Sequence, residues 1–503
     1  MAKLRALLPL AGVLLAGFLH AAPATASTTQ AAMFQDDIQV KTNPTAALAL
    51  MHNLGATRVR VGMQWDSVET RKGHYDFSLY NAIDRAAAAD KISIYFMLTG
   101  PAPRWQTGSH ADKGVAAGTW EPSTRGFGAF VKAAGAQFNG RHGVPRVNFW
   151  SIWNEPNYGQ SLSPQTTNHN TVQTGAGLYR GLLDAAWSAL VATGHRHDTI
   201  LIGETAPRGV SDPGDFLGIK PLSFLRALYC VDGRYQPLRG SGARAIGCPT
   251  TNSGSHRFRA DNPALFSASG FAAHLYALQA SPGPPNRPTT LTGNSSHSDP
   301  NFADLPQVPA LVGTLDRANG VYGSHARFPI WNTEYGYRTR PPDKVGVSQS
   351  LAAEYLNWAE YISYRQRRLA NSMQYLLVDP ASGIFASGLE SPTGKPKATL
   401  AAYRMPLYLP STSTRKGHSL EVWGGVRPAQ ITAQATHRAQ KVAIQWRKGS
   451  KGPWVTVTTL TIRNRAGYID THVRFAGSGA VRLDWSPSPG GNYYSRTVAV
   501  TVR

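Results

Sequence analysis

The chain has 503 residues, with 51 Lys and Arg against 29 Asp and Glu, a net charge of +22 and only two cysteines. That is more chain than one hydrophobic core usually organises, so two domains are expected, and two cysteines are too few for a Cys-based zinc site. The charge favours polyanions such as acidic cell-surface polymers as partners, although a compositional bias toward Arg explains it more simply; no nucleic-acid-binding motif and no dense Lys/Arg run accompanies it, which argues against nucleic acid.

Lys3 and Arg5, an apolar stretch to Leu19 and the small-residue text Ala24-Thr25-Ala26 read as a signal peptide over residues 1–26, implying a secreted, extracellular protein. No later segment is apolar for long enough to span a bilayer, so no membrane span is expected in the mature form. In that oxidising setting Cys230 and Cys248 are expected to pair; the bridge would close a loop of 17 residues and stabilise it by roughly 3 kcal/mol, the alternative being two buried thiols.

From there short β-branched or aromatic runs alternate with Ala-rich helical stretches, as in successive βα units. The runs end near Gln35, Met63, Leu98, Trp153, Gly203, Tyr276, Thr333 and Val378, with helices expected at 44–54, 79–89, 124–138, 175–191, 303–318 and 348–367. Eight such units predict a (β/α)8 TIM barrel over residues 27–408. Two stretches interrupt the alternation, 205–262 and 281–300; both follow strands and are expected as walls of a substrate groove on the C-terminal rim. Residues 410–417 read as a linker, and apolar/polar alternation in six runs beyond it predicts a small antiparallel β-sandwich over 418–503.

Candidate chemistry lies at the strand ends. Glu155, in Asn154-Glu155-Pro156, closes the fourth apolar run, and Glu334, in Thr333-Glu334-Tyr335-Gly336, closes the seventh. Hydrolysis of a glycosidic bond through a covalent intermediate needs two carboxyl groups about 5–5.5 Å apart across the anomeric carbon, one starting protonated and one ionised. Non-adjacent strand ends facing each other over a barrel mouth could supply that pair. Trp150, Trp153 and Trp331 flank them as candidates to lower local polarity or stack on sugar rings, and Asp36 and Asp37 are candidate hydroxyl ligands. Glu204 ends the fifth run and is expected to contact substrate or support the site from behind. No H-E-x-x-H or EF-hand pattern occurs, and this chemistry needs neither metal nor cofactor.

The run Trp153-Asn154-Glu155-Pro156-Asn157 resembles the acid/base signature of the retaining (β/α)8 glycosidases of clan A, and Thr333-Glu334-Tyr335-Gly336 resembles their nucleophile strand. Val59-Arg60 with Trp65, Pro103-Arg104-Trp105 and His274-Leu275-Tyr276 extend the likeness over most of residues 31–405, nearest to glycoside hydrolase families 39 and 5. The resemblance implies a glycosidase acting on a carbohydrate substrate. It implies Glu155 as general acid/base, Glu334 as nucleophile, and Asn154 on the hydroxyl beside the reacting carbon. It further implies Tyr276 donating to the nucleophile, His274 lining the same floor, Arg60 holding Glu334 ionised, and Trp65 and Trp105 near the sugar. The eighth strand departs from the pattern: where many relatives place a sugar-stacking Trp, this chain has Tyr375. The competing reading is a carbohydrate-binding protein without turnover, attached to an anionic cell surface.

Overall fold

A computed structural model describes residues 28–108, 115–277, 299–487 and 490–503. The expected signal peptide and almost all of 281–300 lie outside the described residues. Eight parallel strands form the first domain: β1 (Ala31–Gln35), β2 (Arg58–Gln64), β3 (Ser93–Thr99), β4 (Phe149–Ile152), β5 (Thr199–Thr205), β6 (Gly270–His274), β7 (Ile330–Glu334) and β8 (Asn371–Tyr375). They pair in chain order from β1 to β7, with β8 on the free side of β1. The circle closes where Ile330 bridges Leu369 and the Asn371 side chain bonds both backbone groups of Asn332. This is the expected TIM barrel.

Local sequence explains the helices around it. Asn43 caps helix Pro44–Asn53, whose Pro44 occupies the first turn, and Ser123 and Ser348 cap helices Thr124–Gln137 and Gln349–Arg365. Along β2, Val59 and Val61 pack outward into the core while Arg60 points into the barrel. The lower interior is a tight aromatic layer, with Phe149 stacked edge-on against Trp331 and capped by the Arg58 guanidinium 4.0 Å away.

Three expectations need correction. The stretch 205–262 is not all loop: 206–220 runs irregularly against Asn157 at the rim, but beyond it the chain forms helices Pro221–Leu228, Gly240–Ala245 and Asn252–Asp261. These pack against barrel helix Thr174–Ala192, whose buried Arg180 donates to the carbonyls of Ala227, Leu228 and Ile246. The Cys230–Cys248 disulfide is formed within this lobe. Short helices of six to ten residues give little periodic signal, and one buried guanidinium satisfying three carbonyls is invisible in sequence.

The eighth strand stops at Tyr375 rather than Val378, because Leu376 adopts φ 70°. Finally, the sandwich begins earlier than residue 418. Leu407–Tyr408 pairs with Leu420–Gly425, and Ser413–Thr414, in the supposed linker, pairs in parallel with Val498–Val502, so the domain is not purely antiparallel. Ser/Thr-rich text reads as linker by composition, but its backbone is spent on an edge pairing, with Thr501 N donating to Thr412 O at 2.8 Å. The smaller sheet continues with Tyr468–Val473; the larger holds Lys441–Lys448, Val455–Thr461, Gly479–Trp485 and Val498–Val502, enclosing Val442, Ile444, Leu483 and Trp485. No helix among the described residues is long and apolar enough to cross a membrane.

Candidate active site

At the C-terminal mouth of the barrel the strand ends deliver a ring of polar side chains. Three of the residues there adopt left-handed backbone: Trp153 at φ 69°, Glu155 at φ 44° and Glu204 at φ 49°. For residues with a Cβ this conformation costs of order 1 kcal/mol or more each, and such outliers concentrate where side chains must be re-aimed. Here the effect is to turn two carboxylates inward from consecutive strands.

Arg60 is fully buried and joins the ring's halves. Nη1 donates to Glu334 Oε1 at 2.7 Å and to Gln35 Oε1; Nη2 donates to Asn154 Oδ1 at 3.0 Å and to Glu204 Oε2 at 3.2 Å. His274, also fully buried, places Nδ1 2.9 Å from Glu155 Oε1 and 3.5 Å from Glu334 Oε2, and Nε2 3.1 Å from Glu204 Oε2. Tyr276 donates to Glu334 Oε2 at 3.2 Å. One nitrogen thus touches both expected catalytic carboxyl groups. The facing oxygens of Glu155 and Glu334 can be separated by no more than the sum of those two distances, 6.4 Å.

Burial disfavours a charge on His274, but the Glu334 carboxylate and the bonds to Glu155 and Glu204 outweigh it and push the imidazole up to about 10, so it is a cation at neutral pH. Burial would raise Glu204 as well; Arg60 and His274, with Ser151 donating at 2.5 Å, reverse that and hold it well below the usual carboxylate range. Tyr276 is driven far above its ordinary value by burial and then by Glu334, so its hydroxyl remains a donor.

Glu204 is therefore not a substrate contact. It has no exposure, and besides Arg60 and His274 it accepts from Tyr95, Ser151 and Thr333. Glu155 and Glu334 keep 24% and 14% of their side chains exposed above it, which separates the groups a ligand could reach from the one it could not. Glu334 opens onto a cleft of about 570 Å³ lined also by Asn154, Tyr375, Asp37, Lys41 and Gln64, among others; Glu155 stands beside this lining, next to Asn154, and is not part of it. Tyr375, the candidate sugar contact of the eighth strand, reaches this lining and meets Tyr276 edge-on.

Other expected contacts fall elsewhere. Trp65 is fully buried, packed on Phe127 and Phe130 with its indole N–H on Glu69, so it belongs to the wall between strand and helix. Trp105 lies 43% exposed on the turn Arg104–Gln106. Trp150 and Trp153 are fully buried, and the partly buried Trp331 packs against Phe149 in the lower barrel, away from the cleft lining. Asp36 caps Gln39 N and accepts from the backbone of Leu377 and Val378; Asp37 faces the cleft, held by Gln35 and Gly62 N and paired with Lys41. Tyr95, Ser151, Thr333 and Gln35 were not anticipated. Their only sequence trace is a polar side chain at an inward position of an otherwise apolar strand.

No protein-family model matches the chain, and no curated protein matches it in sequence. By fold it is similar to solved structures. One is a family 39 glycoside hydrolase from the gut symbiont Bacteroides cellulosilyticus WH2 (12% identity, TM-score 0.47, 89% of this chain and 80% of that one). Another is a family 39 β-xylosidase from Caulobacter crescentus (14%, 0.47, 85% and 84%). A third is a family 39 enzyme from Xanthomonas axonopodis pv. citri (16%, 0.47, 92% and 97%). At such identities the roles of individual residues rest on the geometry of this chain.

Proposed function

We propose that the chain is a secreted retaining glycosidase that hydrolyses O-glycosidic bonds of a polysaccharide or glycoconjugate by double displacement. The observation that carries this reading is the meeting of Glu155 and Glu334 on His274 Nδ1. An oxygen of each carboxyl group therefore lies within 6.4 Å of the other, a closeness compatible with the roughly 5–5.5 Å carboxyl separation of a retaining pair.

The partners divide the roles. Glu334 accepts from Arg60 and Tyr276, which orient the carboxylate for attack on the anomeric carbon; as the carbon–oxygen bond to the leaving group breaks, Glu155 gives that oxygen its proton. Glu155, now ionised, takes a proton from water, which attacks the same carbon and releases Glu334. Two basic side chains, Arg60 and His274, face the three carboxyl groups of Glu155, Glu204 and Glu334. Asn154, its Oδ1 fixed by Arg60, has its NH₂ end to offer a sugar hydroxyl beside the reacting carbon.

The test is covalent trapping with 2-deoxy-2-fluoro aryl glycosides of several sugars, whose fluorine slows breakdown of the intermediate. Intact-mass and peptide analysis should find one glycosyl group on Glu334. Label on Glu155, or turnover of a normal glycoside with its fluoro analogue never adding mass, would overturn the proposal.

A further inference from the structure

Half of the chain's excess charge sits in its last fifth: residues 407–503 hold 14 Lys and Arg against 3 Asp and Glu. Two of those acids are turned to the barrel, Glu421 accepting from Tyr361 and Asp470 from Tyr364, both on helix Gln349–Arg365. The third, Asp484, accepts from Gln445. Arg427 and Arg496 also face the barrel, on Glu360 and Glu354. Of the other twelve basic residues, Lys441, Arg447, Lys448, Lys451 and Arg482 lie on the larger sheet or its turn.

Register fixes which side of that sheet they use. Val442, Ile444, Val481 and Leu483 point into the sandwich core, so Gln445, Arg447, Arg482 and Asp484 point outward, with Gln445 opposite Arg482 and Tyr494 opposite Asp484. There, guanidinium groups and rings interleave: Arg447 lies 4.6 Å and Arg482 4.2 Å from the Trp454 ring, and Arg482 3.8 Å from Tyr494. A guanidinium held by its face on a ring keeps its in-plane N–H fork for a carboxylate or sulfate. Arg482 is further fixed by Nε donating to Gln445 at 2.8 Å, and Arg447 Nε has no hydrogen-bond partner among the described residues.

We infer that this outer face of the sandwich is a docking surface for an acidic polysaccharide, whose carboxylate or sulfate groups meet Arg447 and Arg482 beside Trp454 and Tyr494. That the polyanion is a glycan rests on the glycosidase reading. Nucleic acid fits less well, because guanidinium groups already occupy ring faces on which bases would stack.

The test is affinity electrophoresis of the full chain through polygalacturonate, dextran sulfate, neutral dextran and single-stranded DNA at several salt concentrations. Wild type should be retarded by one or both acidic polysaccharides, less at high salt, and not by dextran. Arg447→Gln/Arg482→Gln should weaken that binding by about tenfold or more, while Lys132→Gln/Arg141→Gln, an equal charge loss on the exposed barrel surface, should change it by less than about twofold. Both variants should turn over a small aryl glycoside as wild type does. Equal loss in both variants, tighter binding to DNA, or no retardation by either acidic polysaccharide would overturn the inference. Binding without turnover would count against the glycosidase reading alone, and turnover without binding against the docking face alone.

Discussion

Glu204 and His274 illustrate how two residues that a substrate cannot reach set the state of the two it can. Glu204 supplies the negative charge beneath His274, and His274 in turn fixes the angle of Glu155. Glu204→Gln should therefore lower kcat about 100-fold with KM little changed, the cost of a displaced acid, and should move the alkaline limb of the pH–rate profile to lower pH as His274 loses a counter-charge. A purely structural role would lower the melting temperature and leave that limb in place. His274 also couples stability to pH. Its folded value of about 10 exceeds the ordinary 6.5, so its contribution is complete below about 6.5 and is lost as pH rises through about 10. Melting temperatures followed over that window should fall more for wild type than for His274→Gln. Most of these residues were readable as sequence text: Asn154, Glu155, His274, Tyr276 and Glu334 at or just past strand ends, and Arg60 within β2, are brought together around one buried cluster. What was not readable was depth. Glu204 and Trp65 occupy strand ends like their neighbours, yet one lies beneath the floor and the other behind the wall, since a half-turn of backbone separates a ligand from a support.

At the scale of elements, the barrel strands were legible because each pairs an apolar run with a following helical stretch, and the observed ends agree closely except at β8, where a left-handed Leu376 terminates pairing early. The lobe after β5 was not, because its short helices are held by tertiary bonds to Arg180 and by the disulfide rather than by periodicity. Replacing both Cys230 and Cys248 by Ala should lower stability by roughly 3 kcal/mol in denaturant unfolding, the loop-closure contribution, with kcat on an aryl glycoside preserved because the lobe packs outside the barrel. A loss of activity at temperatures where the fold persists would show the lobe to be part of the cleft.

Across the whole molecule the two domains share a polar seam. Glu360 of the barrel accepts from Arg427 at 2.6 Å and from Tyr468 at 2.7 Å, both contributed by the sandwich, and all three are buried. Removing one partner strands a buried charge, so Arg427→Met should cost about 3–5 kcal/mol, and wild type should unfold in a single transition with fluorescence and activity lost together. Separate transitions would mean the seam does not couple the domains.

The central claim is that Glu155 and Glu334 act on one anomeric centre in two displacements. Proton NMR of the first sugar released from an aryl glycoside, recorded before mutarotation, reads this most directly: the account predicts the anomeric configuration of the substrate, and the opposite anomer appearing first would contradict it.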